Sequence, residues 1–169
     1  MGLASMRPLS DAALRRELEP VVARQLDQHL ALAREWLPHE WVPWSRGRDF
    51  GGDGATPWAA DQSRLSAAAQ AALTQNLLTE DNLPSYHHEL LQRLGADGAW
   101  GAWVRQWTAE EARHAMGLRD YVLLSRAIDP VALERERMAT VQAGWAAAAK
   151  GMLGALVYAT FQELATRIA

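Results

Sequence analysis

Apolar residues recur at steps of three and four along most of the chain, the period of a helix with one face turned inward. Leu14, Leu18, Val22, Leu26 and Leu30 follow Ser10-Asp11, a pair suited to start a helix. Pro20 interrupts that run and is expected to kink or divide it. From Trp36 to Gln62 the period fails. Pro38, Pro43 and Pro57, with Gly47, Gly51, Gly52 and Gly54, predict an irregular connecting segment over residues 37–62. A second helix is expected from about Ser63 through Leu65, Ala69, Leu73 and Leu77 past Thr79, bent at Pro84 and closed by the stretch Gly95 to Gly98. A third runs from about Trp100 to Ile128. Asp129-Pro130 then reads as a cap and first helical position of a fourth. The last starts near Gly151 or Gly154 and stays helical to Ala169. No alternating strand pattern competes, so residues 1–169 predict one all-α domain.

Composition supports helix: Ala, Leu, Gln, Glu and Arg abound, β-branched residues are few, and 8 Trp outnumber 2 Phe and 3 Tyr. Hydrophobic residues at 49% and charged residues at 22% suit a soluble globular domain. The absence of cysteine excludes disulfides, thiolate metal sites and thiol catalysis. A formal charge of −3 without a Lys/Arg run argues against nucleic-acid binding. The glycines between Gly47 and Gly54 lack the Gly-Lys-Ser/Thr that a phosphate cradle requires. The first six residues have no apolar core, so no secretory signal is expected there, and the apolar run Ala146 to Ala159 is too short to span a bilayer. A cytoplasmic protein is the expectation.

Candidate chemistry lies where polar residues interrupt apolar faces. The predicted stripe of the third helix reads Trp100, Trp103, Trp107, Leu118 and Tyr121, and its gap is filled by Glu111 and His114. Three residues apart, these two share a face. A buried carboxylate without a partner is costly, and a metal ion taking both groups as ligands removes that cost. Glu-x-x-His alone is a weak signal, since a core histidine beside a surface glutamate has the same spacing. Glu80 continues the face of Leu73 and Leu77, and Glu163 continues that of Leu153, Leu156 and Thr160. Each could equally be a surface residue at a helix end. Di-iron bundles use one Glu from each of two helices and a Glu-x-x-His from each of two others. Glu80, Glu111 with His114, and Glu163 would make three of those contributions. The chain contains no second Glu-x-x-His.

Longer stretches carry a more specific signal. The texts Asn76-Leu-Leu-Thr-Glu-Asp-Asn-Leu-Pro-Ser-Tyr86, Trp100-Gly-Ala-Trp-Val-Arg-Gln-Trp-Thr-Ala-Glu-Glu-Ala-Arg-His114, Leu118-Arg-Asp-Tyr121 and Phe161-Gln-Glu-Leu-Ala-Thr-Arg-Ile168 occur in this order. With Leu18-Glu-Pro-Val-Val22 and Trp36-Leu-Pro-His-Glu-Trp-Val-Pro43, they resemble the soluble acyl-acyl-carrier-protein desaturases, in particular their actinobacterial branch.

The resemblance implies a ferritin-like helical bundle, a homodimer and a centre of two Fe2+ ions. Glu80, Glu111, His114 and Glu163 would be metal ligands, with Glu110 a non-ligand neighbour. Thr166 would assist proton delivery. Trp36 would lie near the iron, with packing and an electron relay as its two readings. The implied reaction places a cis double bond in a fatty-acyl chain on acyl carrier protein, using O2 and electrons from ferredoxin. Apolar faces around Leu77, Trp107 and Leu118 would either line the acyl groove or form ordinary core. Family members continue into a helix with the second Glu-x-x-His, so the bundle is expected to be incomplete at the C-terminus and the chain weak or inactive alone. The segment Gly144 to Gly154 is shorter and richer in alanine than the family pattern. Two other classes stay open: a short iron-binding protein that completes its site by dimerising, and a non-enzymatic helical remnant.

Overall fold

The computed structural model describes residues 9–145 and 151–168, with side chains through 165. Among these residues there are seven α-helices and no strand. They are α1 (Asp11–Leu32), α2 (Pro38–Trp41), α3 (Ala67–Asp81), α4 (Leu83–Leu94), α5 (Gly98–Leu124), α6 (Pro130–Ala143) and α7 (Gly151–Ile168). The irregular stretch before α3 holds, besides α2, single helical turns at Trp44–Arg46 and Ala60–Gln62.

The chain divides into two compact units, and two of the divisions fall inside α4 and α5. The first comprises Met1–Ala33, His88–Arg105 and Ala147–Ala169. Ser10 caps α1 by accepting from the Ala13 N–H at 3.3 Å, and Asp11 adds an acid to the positive end of the helix dipole. Pro20 does not divide this helix, which runs unbroken from Asp11 to Leu32. Leu14, Leu18, Val22 and Leu26 are half-buried, as their spacing predicts, while Leu30 is exposed. Two acids of α1 serve other helices. Glu19 Oε1 accepts from the Ala99 N–H at the start of α5 at 2.5 Å, and Asp11 Oδ2 accepts from the Met152 N–H at the start of α7 at 3.0 Å. Leu90, Leu94, Trp100, Val104, Met152 and Ala155 are its buried apolar residues.

The second unit comprises Arg34–His87 and Gln106–Ala146. Its core joins Leu77 of α3, Ala115 and Val122 of α5, Ala127 and Leu133, with Leu65, Leu73, Leu118, Leu123 and Ile128 packed around them. Helix α3 packs against α6. Ser66 caps α3 through the Ala69 N–H, and Asp129 Oδ1 accepts from Val131 N at 2.8 Å and Ala132 N at 3.3 Å to open α6, with Pro130 at its first position.

The second helix, expected from about Ser63, starts at Ala67 because Ser66 supplies its cap, and two other predicted boundaries shift for physical reasons. The bend expected at Pro84 is a break between α3 and α4. Asn82 is buried there and accepts from Ser85 Oγ at 2.9 Å, and Pro84 falls in the first turn of α4, where its missing N–H costs nothing. Helix α5 ends at Leu124 rather than near Ile128 because Arg126 takes φ 55°, a left-handed conformation usually left to glycine. The Ala127 N–H then reaches Val122 O at 3.0 Å and the Arg126 N–H reaches Leu123 O at 3.1 Å, which seals the helix end. Tyr121, predicted on the inward stripe, is exposed. The buried line of α5 begins at Trp100, as predicted, and continues through Val104, Ala115 and Val122.

Candidate metal centre

Glu80 stands one turn beyond Leu77, the fully buried residue that anchors α3 in the core. The same register that sends Leu73 and Leu77 inward leaves the Glu80 side chain 15% exposed. On α5, Glu111 falls on the buried line between Val104 and Ala115, and its side chain is 14% exposed. His114 lies at the edge of that line and is 41% exposed. The three come from α3 and α5, which α4 separates in sequence, and the packing of these helices around Leu77 and Ala115 brings them together.

Their ligand atoms all lie within 4.8 Å of one another. His114 Nδ1 is 2.8 Å from Glu111 Oε2 and 3.7 Å from Glu80 Oε2. Without a metal, the imidazole between two carboxylates is held protonated, its pKa raised from 6.5 to about 10 by hydrogen bonding to Glu111 first and Glu80 second, against the opposing effect of burial. Two carboxylates and one imidazole make an oxygen-and-nitrogen donor set that suits a divalent cation such as iron, and they are close enough to share one. The residues therefore fit a metal.

Trp36 is stacked on this group. Its ring lies 5.7 Å from the His114 ring, at an interplanar angle of 13°. The Arg113 guanidinium lies over the indole at 5.2 Å, and Arg113 Nη1 donates to Trp36 O at 3.1 Å. The sequence did not single out Arg113, although its place next to His114 made it a neighbour of anything that stacks there. Asp81, following Glu80, has a buried Oδ2 without a hydrogen bond, 3.8 Å from Arg137 Nε. Burial raises its pKa despite the nearby Arg119 and Arg137.

Glu163 is exposed on α7, in the first unit. The side chain of Thr166 and residues 146–150 of the alanine-rich segment lie outside the described residues. Leu77 is fully buried in the core and the partly buried Leu118 packs against it. Trp107 is half-buried.

Helices that bring a Glu and a Glu-x-x-His together reproduce half of the ligand pattern of the ferritin-like carboxylate metal proteins. Comparison with known proteins narrows the class. Residues 10–169 match the family model described as fatty acid desaturase, and the chain belongs to that family. DesA1 of Mycobacterium tuberculosis, named as an acyl-acyl-carrier-protein desaturase, is 48% identical over 168 residues, covering 95% of this chain and 50% of that protein. DesA2 of the same organism, similarly named, is 37% identical, covering 94% and 58%. The chloroplastic acyl-acyl-carrier-protein desaturase 6 of Oryza sativa subsp. japonica is 32% identical, covering 79% and 34%. The X-ray structure of M. tuberculosis DesA2 superposes with a TM-score of 0.53 at 34% identity, covering 74% of this chain and 46% of that one. That likeness carries the ferritin-like helical fold. The chain spans about half the length of these M. tuberculosis relatives.

Proposed function

We propose that this chain carries part of the iron centre of an acyl-acyl-carrier-protein desaturase, which converts a saturated acyl chain on its carrier to the cis-alkene in the cytoplasm. The observation that carries the reading is the convergence of Glu80, Glu111 and His114 within 4.8 Å, at the positions where the family resemblance expects ligands. The overall change removes two hydrogens from adjacent methylenes, and O2 with two electrons and two protons leaves as two waters. Bound iron would supply the O2-dependent oxidation of an unactivated C–H bond, which no side-chain acid or base can begin.

The chain's own residues hold and shield that centre. Glu80 and Glu111 offer anionic oxygens that tolerate rising charge on a metal, and His114 offers a neutral nitrogen once its proton has left. Trp36, clasped by Arg113, covers the His114 ring and limits water there. It also gives electrons from ferredoxin a stacked path to the ligand ring. Glu163 and Thr166, on the last helix, are assigned as a further ligand and a proton donor on resemblance alone.

One Glu-x-x-His leaves a two-iron set short of the usual four contributions. We therefore expect this length of chain alone to hold iron weakly and to turn over slowly or not at all. The convergence of Glu80, Glu111 and His114 within one unit supports one second reading. A two-fold homodimer that brought two copies of this group together would supply two Glu and two Glu-x-x-His.

The test loads the protein anaerobically with Fe2+ and supplies reduced ferredoxin, O2 and stearoyl carrier protein, with product analysis by chromatography. Unsaturated product that is lost in Glu111→Ala sustains the desaturase reading. Two irons per dimer, lost in His114→Ala and without lipid oxidation, sustain the dimeric iron-binding protein. Iron-free protein with no product rejects both for this chain.

A further inference from the structure

A second site lies at the C-terminal end of α5, entirely within the second unit and with no residue in common with the metal-binding group. It is a cavity of about 670 Å3 whose wall carries Arg46, Arg48, Arg64 and Arg126 against a single acid, Asp61. In a chain of formal charge −3, this excess of three positive charges is a local concentration. Among the described residues no carboxylate pairs with any of the four.

Arg126 is only 8% exposed, and all its partners are neutral. Its guanidinium donates to Gln62 Oε1 at 2.7 Å, to Arg48 O at 3.3 Å and to Thr56 O, and it lies over the Phe50 ring at 4.2 Å. A buried cation without a counter-charge is costly. The position is costly for the backbone too, since Arg126 holds the left-handed conformation that glycine would adopt freely. An arginine kept there places a guanidinium in the cavity wall and ties the loop of Arg48 and Thr56 to the end of α5. Gly47, between Arg46 and Arg48, sits so close to Leu124 that a Cβ would overlap it, which holds both arginine-bearing positions against the helix. The other three arginines are exposed and make no side-chain hydrogen bond among the described residues.

We propose that this cavity binds the phosphoryl group of a phosphate ester, gripped by Arg46, Arg48 and Arg64, with Arg126 as the buried counter-charge. Guanidinium groups present paired donors to the several oxygens of a tetrahedral phosphate, mono- or diester, and three free ones outnumber what a lone carboxylate can satisfy. The volume exceeds that of phosphate, which leaves room for the organic part of the ester.

Calorimetric titration of the metal-free full chain with inorganic phosphate and pyrophosphate, at low ionic strength, tests the site. We expect saturable one-site binding that salt weakens, with pyrophosphate the tighter ligand. Arg46→Gln combined with Arg64→Gln removes two charge-assisted contacts from exposed positions and should weaken binding at least about tenfold. Arg135→Gln, on an exposed position of α6 outside the cavity, should leave it unchanged. Far-UV circular dichroism of the double variant verifies that its helices persist. Absence of saturable binding by the parent chain, or equal affinity in the folded double variant, overturns the proposal. Two further ligands identify the ester. Binding of a carrier protein only when it bears its phosphopantetheine arm, sensitive to the double variant, assigns a carrier-borne phosphate. Binding of adenosine 5′-phosphate but not of the carrier assigns a free metabolite, and either result sustains the site. The readout needs neither iron nor turnover, so its failure would leave the desaturase reading standing, and the reverse holds.

Discussion

His114 stands between two carboxylates, and this position sets both its protonation and its competition for metal. Its folded pKa of about 10 lies above the unfolded value near 6.5, so the protonated imidazole stabilises the metal-free fold fully below about pH 6.5. That contribution fades as pH rises through 10. Urea unfolding of the metal-free chain at pH 6, 8 and 10 should therefore show His114→Gln losing most at pH 6 and least at pH 10. The side chain is 41% exposed, so solvent screening keeps the loss small. The same proton must leave when a metal binds. Fe2+ affinity is accordingly expected to rise about tenfold per pH unit between pH 6 and 8, measured by anaerobic titration. Replacing Glu111 by Ala removes a ligand and should weaken Fe2+ binding by more than about 100-fold in the same assay, at least the loss known for outer-shell changes. The spacing of Glu111 and His114 was legible because a helix repeats every three to four residues. The Trp36 stack was not, since nothing in the intervening sequence tells which face of which ring it meets.

Helices were the most legible level. Ser10, Asp129 and Pro130 mark starts that the structure keeps, because capping is a contact between near neighbours in the chain. Asp129→Ala should lower stability by about 1 kcal/mol, read by urea unfolding, through loss of the two N–H partners at the head of α6. The ends were harder to read. The close of α5 depends on Arg126, whose left-handed backbone is held by contacts to Gln62, Arg48 and Thr56, more than sixty positions away. Tyr121 was placed inward by spacing, but spacing gives only relative angles around a helix. The packing of Ala115 and Val122 against Leu77 decides which angle faces the core. Leu77→Ala would open a cavity in that cluster and cost about 2–5 kcal/mol, measured by chemical unfolding. Because Leu77 stands one turn from Glu80, the same variant should also weaken metal binding.

At the scale of the molecule, the chain is a helical member of the fatty acid desaturase family in which the candidate metal group of Glu80, Glu111 and His114 and an arginine-walled cavity lie in the same unit. Among the described residues, no helix is long and apolar enough to cross a membrane. Several exposed apolar residues of α7, Leu153, Val157, Phe161 and Leu164, recur at helical spacing. A helix face of this kind tends to be covered in a working assembly. Sedimentation across protein concentration, with iron measured in each species, should find the metal with the dimer if two copies complete the centre. By itself the sequence determined the all-helical character, the capped starts at Ser10 and Asp129 and the pairing of Glu111 with His114, because these follow from interactions within a few turns. The company that Glu80 keeps, the ring that covers His114 and the meeting of Arg46, Arg48, Arg64 and Arg126 were decided by tertiary structure. Those groups come from distant stretches of chain, and only the burial of a shared core determines which of them meet.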